Sequence, residues 1–159
     1  MLRALFDYVV LEFRYLPGDI YPLGDASGWE AEDALGMLTS GKGNCYGFAA
    51  LYYELVRAVG VDARACAGAV IGNGEEGVDT SLDCYGNPMN LPRHYCPHGW
   101  VEIDFDGVSY IFDPEYAYRY HDQHLSYEIF FRLDELDRAR FGYIRSLDEL
   151  NDDEMPTAP

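Results

Sequence analysis

The chain is 159 residues long, 48% hydrophobic, and carries 28 acidic against 11 basic side chains, for a formal net charge of −17. That length and apolar content suit one globular domain with a core of its own, and the charge argues against nucleic acid or an anionic membrane as partner while admitting a cationic one. No stretch is long enough to span a bilayer and the first residues lack a signal-peptide pattern, so the chain reads as soluble; a start directly at a helix also fits a fragment of a longer or exported protein.

In chain order, Leu2, Leu5, Phe6, Val9 and Val10 recur at the three-to-four residue spacing of a first amphipathic helix. Ala31, Ala34, Leu35 and Leu38 mark a short second one that Gly41 ends. A third follows, with Phe48, Leu51, Tyr52, Leu55 and Val59 on one predicted buried face and Gly60 suited to stop it in the left-handed conformation. Gly41 and Gly43 let the incoming backbone turn tightly, which puts Cys45 in the first turn of that helix. A thiol there meets the positive end of the helix dipole and unpaired backbone N–H groups, both of which favour the thiolate.

Residues 63–71 read as a strand of small apolar side chains in which Cys66 fills core space. Residues 72–97 form a loop too long for a plain connection, and it lands beside His98, where it could act as a lid or cleft wall; the alternative is disorder. Its acids Glu75, Glu76, Asp79 and Asp83 lack the spacing of a calcium loop and read as a solvated run. Cys84 and Cys96 bracket the loop and leave two arrangements open: a disulfide, or a zinc site with His94 and His98 whose spacing departs from the usual ligand pattern. The reading assigns no metal and no cofactor.

A hairpin comes next. Residues 98–105 alternate, Asp106-Gly107 is a two-residue turn signal, and residues 108–113 resume as a strand that Pro114 ends. Pairing Phe105 with Val108 sets Asp113 opposite Trp100, a diagonal neighbour of His98 on the same face at about 7 Å between Cβ atoms. The other face carries Val101, Ile103, Phe105, Val108, Tyr110 and Phe112, a stripe that the Cys45 helix would cover. Tyr116, Tyr118 and Tyr120 then alternate as on a further strand, and Leu133, Leu136 and Phe141 suggest a last helix. Helices first and antiparallel strands afterwards give an α+β fold, with residues 1–147 as the domain and the acidic segment 148–159 as a flexible tail.

Cys45, His98 and Asp113 thus suit one chemistry. An amide carbonyl is a poor electrophile, and a thiolate made by proton transfer to an imidazole splits its cleavage into two easier steps. A carboxylate would fix the ring tautomer and stabilise the imidazolium, and the Cys45 backbone N–H is the first oxyanion donor to propose. No second donor stands out. Trp29, Tyr15 and Tyr21 carry suitable groups, and Trp29, Tyr46 and Trp100 are the candidates for the oxyanion hole or substrate cleft.

The strings Gly43-Asn44-Cys45-Tyr46-Gly47-Phe48-Ala49, Arg57-Ala58-Val59-Gly60-Val61-Asp62-Ala63-Arg64, His98-Gly99-Trp100-Val101-Glu102 and Phe112-Asp113-Pro114, in that order, resemble the transglutaminase-like domain of the papain-like cysteine enzymes. The resemblance implies Cys45 as nucleophile, His98 as general base and acid, Asp113 as its orienting group, and a papain-like core with N-terminal helices on an antiparallel sheet. The implied substrate is a protein or peptide. Water as acyl acceptor makes a protease or amidase, the expectation from bacterial members; a primary amine makes a transglutaminase. The rivals are a non-catalytic binding module on the same fold and a metal-binding domain.

Overall fold

The structure, a computed structural model, describes residues 1–24, 28–71 and 95–150. Helix α1 (Leu2–Glu12) buries Phe6, Val9 and Val10. A two-residue strand β1 (Arg14–Tyr15) runs parallel to β2 (Lys42–Gly43), tying the chain after α1 to the entry of the third helix. Helix α2 (Glu30–Ser40) lies between them and ends at Gly41, whose φ of 74° is the left-handed cap expected of a glycine there. Helix α3 (Cys45–Ala58) buries nine of its residues, and Gly60 turns the chain at φ 86°.

The main sheet has strand order β3-β4-β5-β6 and is antiparallel throughout, with β3 at Arg64–Ile71, β4 at Tyr95–Phe105, β5 at Val108–Phe112 and β6 at Phe131–Leu133. The hairpin register is Phe105 to Val108, Asp104 to Ser109, Glu102 to Ile111 and Val101 to Phe112, around Asp106 (φ 51°) and Gly107 (φ 81°). Two successive positive φ values match the right-handed strand twist, which is why Asp-Gly closes a two-residue loop.

Helix α3 packs on the face of the sheet that carries Val101, Ile103 and Phe112, all buried. Each large apolar side chain fully buried in this layer contributes about 1.5–3 kcal/mol. Two glycine contacts set how close it comes. A Cβ at Gly47 would lie 2.9 Å from the Met37 side chain, so α2 and α3 meet closely; a Cβ at Gly99 would lie 2.7 Å from the Tyr46 ring and 3.2 Å from its Cα, so the start of α3 sits directly on β4.

Several expectations are corrected. Residues 116–120 are not a strand: helix α4 (Pro114–Asp122) starts there, because Asp113 caps it and Pro114 supplies the fixed φ of a first helical position. The alternating tyrosines instead set Tyr116 and Tyr120 one turn apart on a buried side. Leu35 and Leu38 are exposed at 61% and 54%, since α2 turns Ala34 and Met37 inward. Val59 and Val108 are also exposed. Helix α5 (Glu135–Phe141) forms, although Leu136 points outward. The opposite sheet face is covered too. Gly142, at φ 69°, turns the chain after α5 so that Tyr143 crosses that face and Ile144 bridges to Ala69 on β3. Of the acidic tail, Leu147–Glu149 form a turn of 3-10 helix with a Ser146 capping box; residues 151–159 lie outside the described residues, as do Glu75, Glu76, Asp79, Asp83, Cys84, His94 and most of the proposed lid.

On that second face, fully buried Glu102 accepts hydrogen bonds from Trp100 Nε1 (3.0 Å), Ser109 Oγ (3.3 Å), Arg64 (3.2 Å) and Arg145 Nε (2.8 Å), and a second Arg145 nitrogen meets Oε2. Burial alone would push its carboxyl up; Arg145, Trp100 and Arg64 outweigh burial and hold it below its ordinary value.

Gly99→Ala should cost about 1–3 kcal/mol in urea denaturation, whereas Gly36→Ala, inside α2 with nothing within 4 Å of the new Cβ, should gain about 0.5–1 kcal/mol. Because the folded Glu102 titrates below its unfolded counterpart, its contribution is complete above the ordinary carboxylate range and fades as pH falls through the lowered value. Arg145→Met should therefore lose about 1–3 kcal/mol at neutral pH, and the difference from the parent chain should shrink in acid.

Candidate active site

The nucleophile position is built by the helix cap. Asn44, extended at the N-cap of α3, accepts hydrogen bonds from the N–H groups of Tyr46 (3.1 Å) and Gly47 (3.3 Å), and its own Nδ2 donates to the Asp19 carbonyl at 2.7 Å. The cap takes the second and third N–H groups of the helix and leaves that of Cys45, the first, outside it. Cys45 is a free thiol, 8% exposed. Because Gly99 admits Tyr46 against β4, the Cys45 end of the helix comes down beside His98, one residue earlier on that strand.

His98 is 3% exposed, its Nε2 lies 2.7 Å from Asp113 Oδ2, and its Nδ1 lies 3.9 Å from Glu115 Oε2. Burial favours the neutral ring; the Asp113 carboxylate, with the Cys45 thiol, outweighs it and raises the imidazole well above its ordinary pKa. Asp113 lies just past the paired part of β5, where its N–H donates to the Phe130 carbonyl at 3.0 Å. Its carboxylate does three things at once. Oδ1 accepts from Tyr116 N–H (3.0 Å) to cap α4, and Oδ2 accepts from both the His98 ring and the Tyr143 hydroxyl, the latter at 2.5 Å. Burial and the negative charge of Asp113 push the Tyr143 phenol up, so it stays a neutral donor.

Glu115 and Tyr143 were missed by sequence reasoning. Glu115 is fully buried in the first turn of α4, its Oε1 against Arg119 Nε one turn later and its Oε2 3.9 Å from His98 Nδ1. Reading Asp113-Pro114 as a helix start would have exposed the Glu115/Arg119 pair at i, i+4. Tyr143 has no local signal, because it arrives through the turn at Gly142. Burial, with Cys45 and the Asp113 carboxylate nearby, pushes the Glu115 carboxyl well above its ordinary range against the pull of His98. Among the described residues, His98, Asp113 and Glu115 are the acidic or imidazole groups close enough together to share a cation.

The remaining candidates divide. Trp29 stacks on Tyr21 (centroids 5.2 Å) and meets Tyr46 edge-on at 5.6 Å, and the Tyr46 hydroxyl donates to the Tyr21 carbonyl at 3.4 Å, so these three form an aromatic wall beside the start of α3. The Tyr21 hydroxyl is held by Asp33 at 2.9 Å. Trp100 is on the His98 face, but its indole N–H is committed to Glu102. Tyr15 lies 5.2 Å under the Arg119 guanidinium. Cys66 is a free thiol opposite Trp100 on β4, and burial, with Glu102 beside it, pushes it up. Cys96 is buried and disulfide-bonded; Cys84 lies outside the described residues.

A model of the transglutaminase-like superfamily matches residues 1–114. None of the curated proteins matches the chain. Among solved structures, a candidate cysteine protease from Cytophaga hutchinsonii is 21% identical with a TM-score of 0.44, over 72% of this chain and 30% of that one. The chain thus spans under a third of that protein's length.

The Tyr143 contact makes a test of its own. Tyr143→Phe keeps the ring and removes one donor from a buried carboxylate, and should lower unfolding stability by about 1.5–3 kcal/mol in urea titration.

Proposed function

The chain belongs to the transglutaminase-like superfamily, and from that membership we propose that it is a cysteine-dependent enzyme that hydrolyses amide or peptide bonds through Cys45, His98 and Asp113. The single observation that carries the reading is the free thiol of Cys45 at the first position of a capped helix, near enough to His98 to help raise the pKa of a buried ring whose Nε2 is held by a buried carboxylate.

The chemistry runs from that arrangement. His98 Nδ1 takes the thiol proton as sulfur attacks the substrate carbonyl, and Asp113 stabilises the imidazolium while holding Nε2 in place. The Cys45 N–H, left out of the Asn44 cap, donates to the oxyanion. Collapse of the tetrahedral adduct passes the His98 proton to the leaving amine and gives a thioester. Water, deprotonated by the same nitrogen, then releases the acid and frees the thiol. Cys66 takes no part, because burial beside Glu102 keeps it a protonated thiol. The excess of acidic side chains favours a cationic protein or peptide as substrate.

Two assays test this reading. Iodoacetamide should label Cys45 much faster than Cys66; equal, slow labelling of both would favour a binding module. Ammonia or amine release from amide and peptide substrates should fall by about 10²–10⁴-fold in His98→Ala and vanish in Cys45→Ala. Product analysis with added primary amine separates hydrolysis from acyl transfer: incorporation of the amine in preference to water would make the chain a transglutaminase.

A further inference from the structure

Glu115 is the one buried acid of the site that the mechanism leaves unused. It stands in the first turn of α4, fully buried, with Oε1 engaged by Arg119 Nε one turn later. Oε2 is buried as well and has no hydrogen-bond partner among the described residues. It lies 3.9 Å from His98 Nδ1, beyond a hydrogen bond but well within the range of a strong charge interaction.

Two features favour the ionised form of Glu115: the guanidinium on Oε1, and the positive end of α4. Burial works the other way, as does the Asp113 carboxylate nearby, while a charged His98 draws the carboxyl back down. A dry, unpaired carboxylate oxygen is costly unless a cation faces it, and the group that faces Oε2 is the His98 ring. With that ring protonated, the charges of Asp113 and Glu115 are balanced by those of His98 and Arg119. Loss of the ring proton leaves a negative charge in excess in a buried site.

We propose that Glu115 is a positioning residue for His98: its carboxylate faces Nδ1 as that of Asp113 faces Nε2, and between them the two acids hold the proton on the ring. The consequence for turnover rests on the reading of His98 as the base, since the ring then becomes free to take the thiol proton only at a higher pH than Asp113 alone would set. The remaining titratable groups against the ring are Tyr116, on its face with centroids 4.7 Å apart, Tyr143 at 6.3 Å, and Cys45 from α3, which also favours the protonated ring. Burial holds both phenols up, so neither brings a charge.

The test follows the His98 ring by NMR through a pH titration of the full chain and of Glu115→Gln, whose amide oxygen can still face Arg119. The ring of the variant should titrate about one pH unit lower, the effect of removing one opposite charge at this distance. The rise of kcat/KM with pH, which reports the first proton lost by Cys45 and His98 as a pair, should move down with it. A ring that titrates as in the parent would overturn the proposal, because a purely structural part for Glu115 lowers turnover without moving that titration. Should Glu115→Gln fail to fold, carbon-13 labelling of the glutamate carboxyls in the parent chain carries the test. Glu115 should then ionise at a lower pH than the one at which His98 loses its proton, so that both are charged between the two; a Glu115 carboxyl that ionises only after the ring is neutral would overturn the proposal. A lower ring titration in Glu115→Gln, in a chain whose turnover profile stays in place or that shows no turnover under any condition, would count against the proposed function and leave the hold on the proton standing.

Discussion

Everything at the site converges on one buried carboxylate. Asp113 orients His98, caps α4 and receives Tyr143, so three parts of the chain that are distant in sequence share two oxygen atoms. Each partner supplies a donor that a buried anion requires, and together they make its desolvation tolerable. The arrangement is also directional. With Oδ1 fixed by the helix start and Oδ2 shared between ring and phenol, the imidazole is held in one orientation. Chemistry and architecture are therefore the same set of bonds seen from two sides.

The second condition is proximity, and it depends on atoms that are absent from side chains. Gly99 lets Tyr46 rest on β4, and Gly47 lets α3 lie close on Met37. These contacts bring the helix start down onto the strand that carries His98. A side chain at position 99 would hold the capped helix start and the strand of His98 about a side-chain diameter further apart.

Much of this could be read from the chain alone, for identifiable reasons. The helix of Cys45 declares itself by its periodicity and its flanking glycines, and the Asp106-Gly107 turn determines the hairpin register residue by residue, because a two-residue loop leaves no freedom in the pairing. The error at residues 116–120 shows where such reading stops: tyrosines at every second position look like a strand, yet Asp113 and Pro114 begin a helix just before them, and the cap prevails over the alternation. Leu35 and Leu38 mislead in a different way, since a short helix packed through Ala34 and Met37 hides its small side chains and shows its large ones. Glu115 and Tyr143 belong to a third kind. One was concealed by the wrong element and the other by distance along the chain.

The family match ends at residue 114, and Tyr143 comes well after it, delivered across the sheet by the turn at Gly142 and pinned where Ile144 bridges to Ala69. The roof over the His98 and Asp113 pair is thus contributed by a segment outside the matched core. Such a division of labour means that how dry and how rigid the His98 and Asp113 pair is depends on a stretch of chain separate from the one that carries the thiol, the ring and the carboxylate.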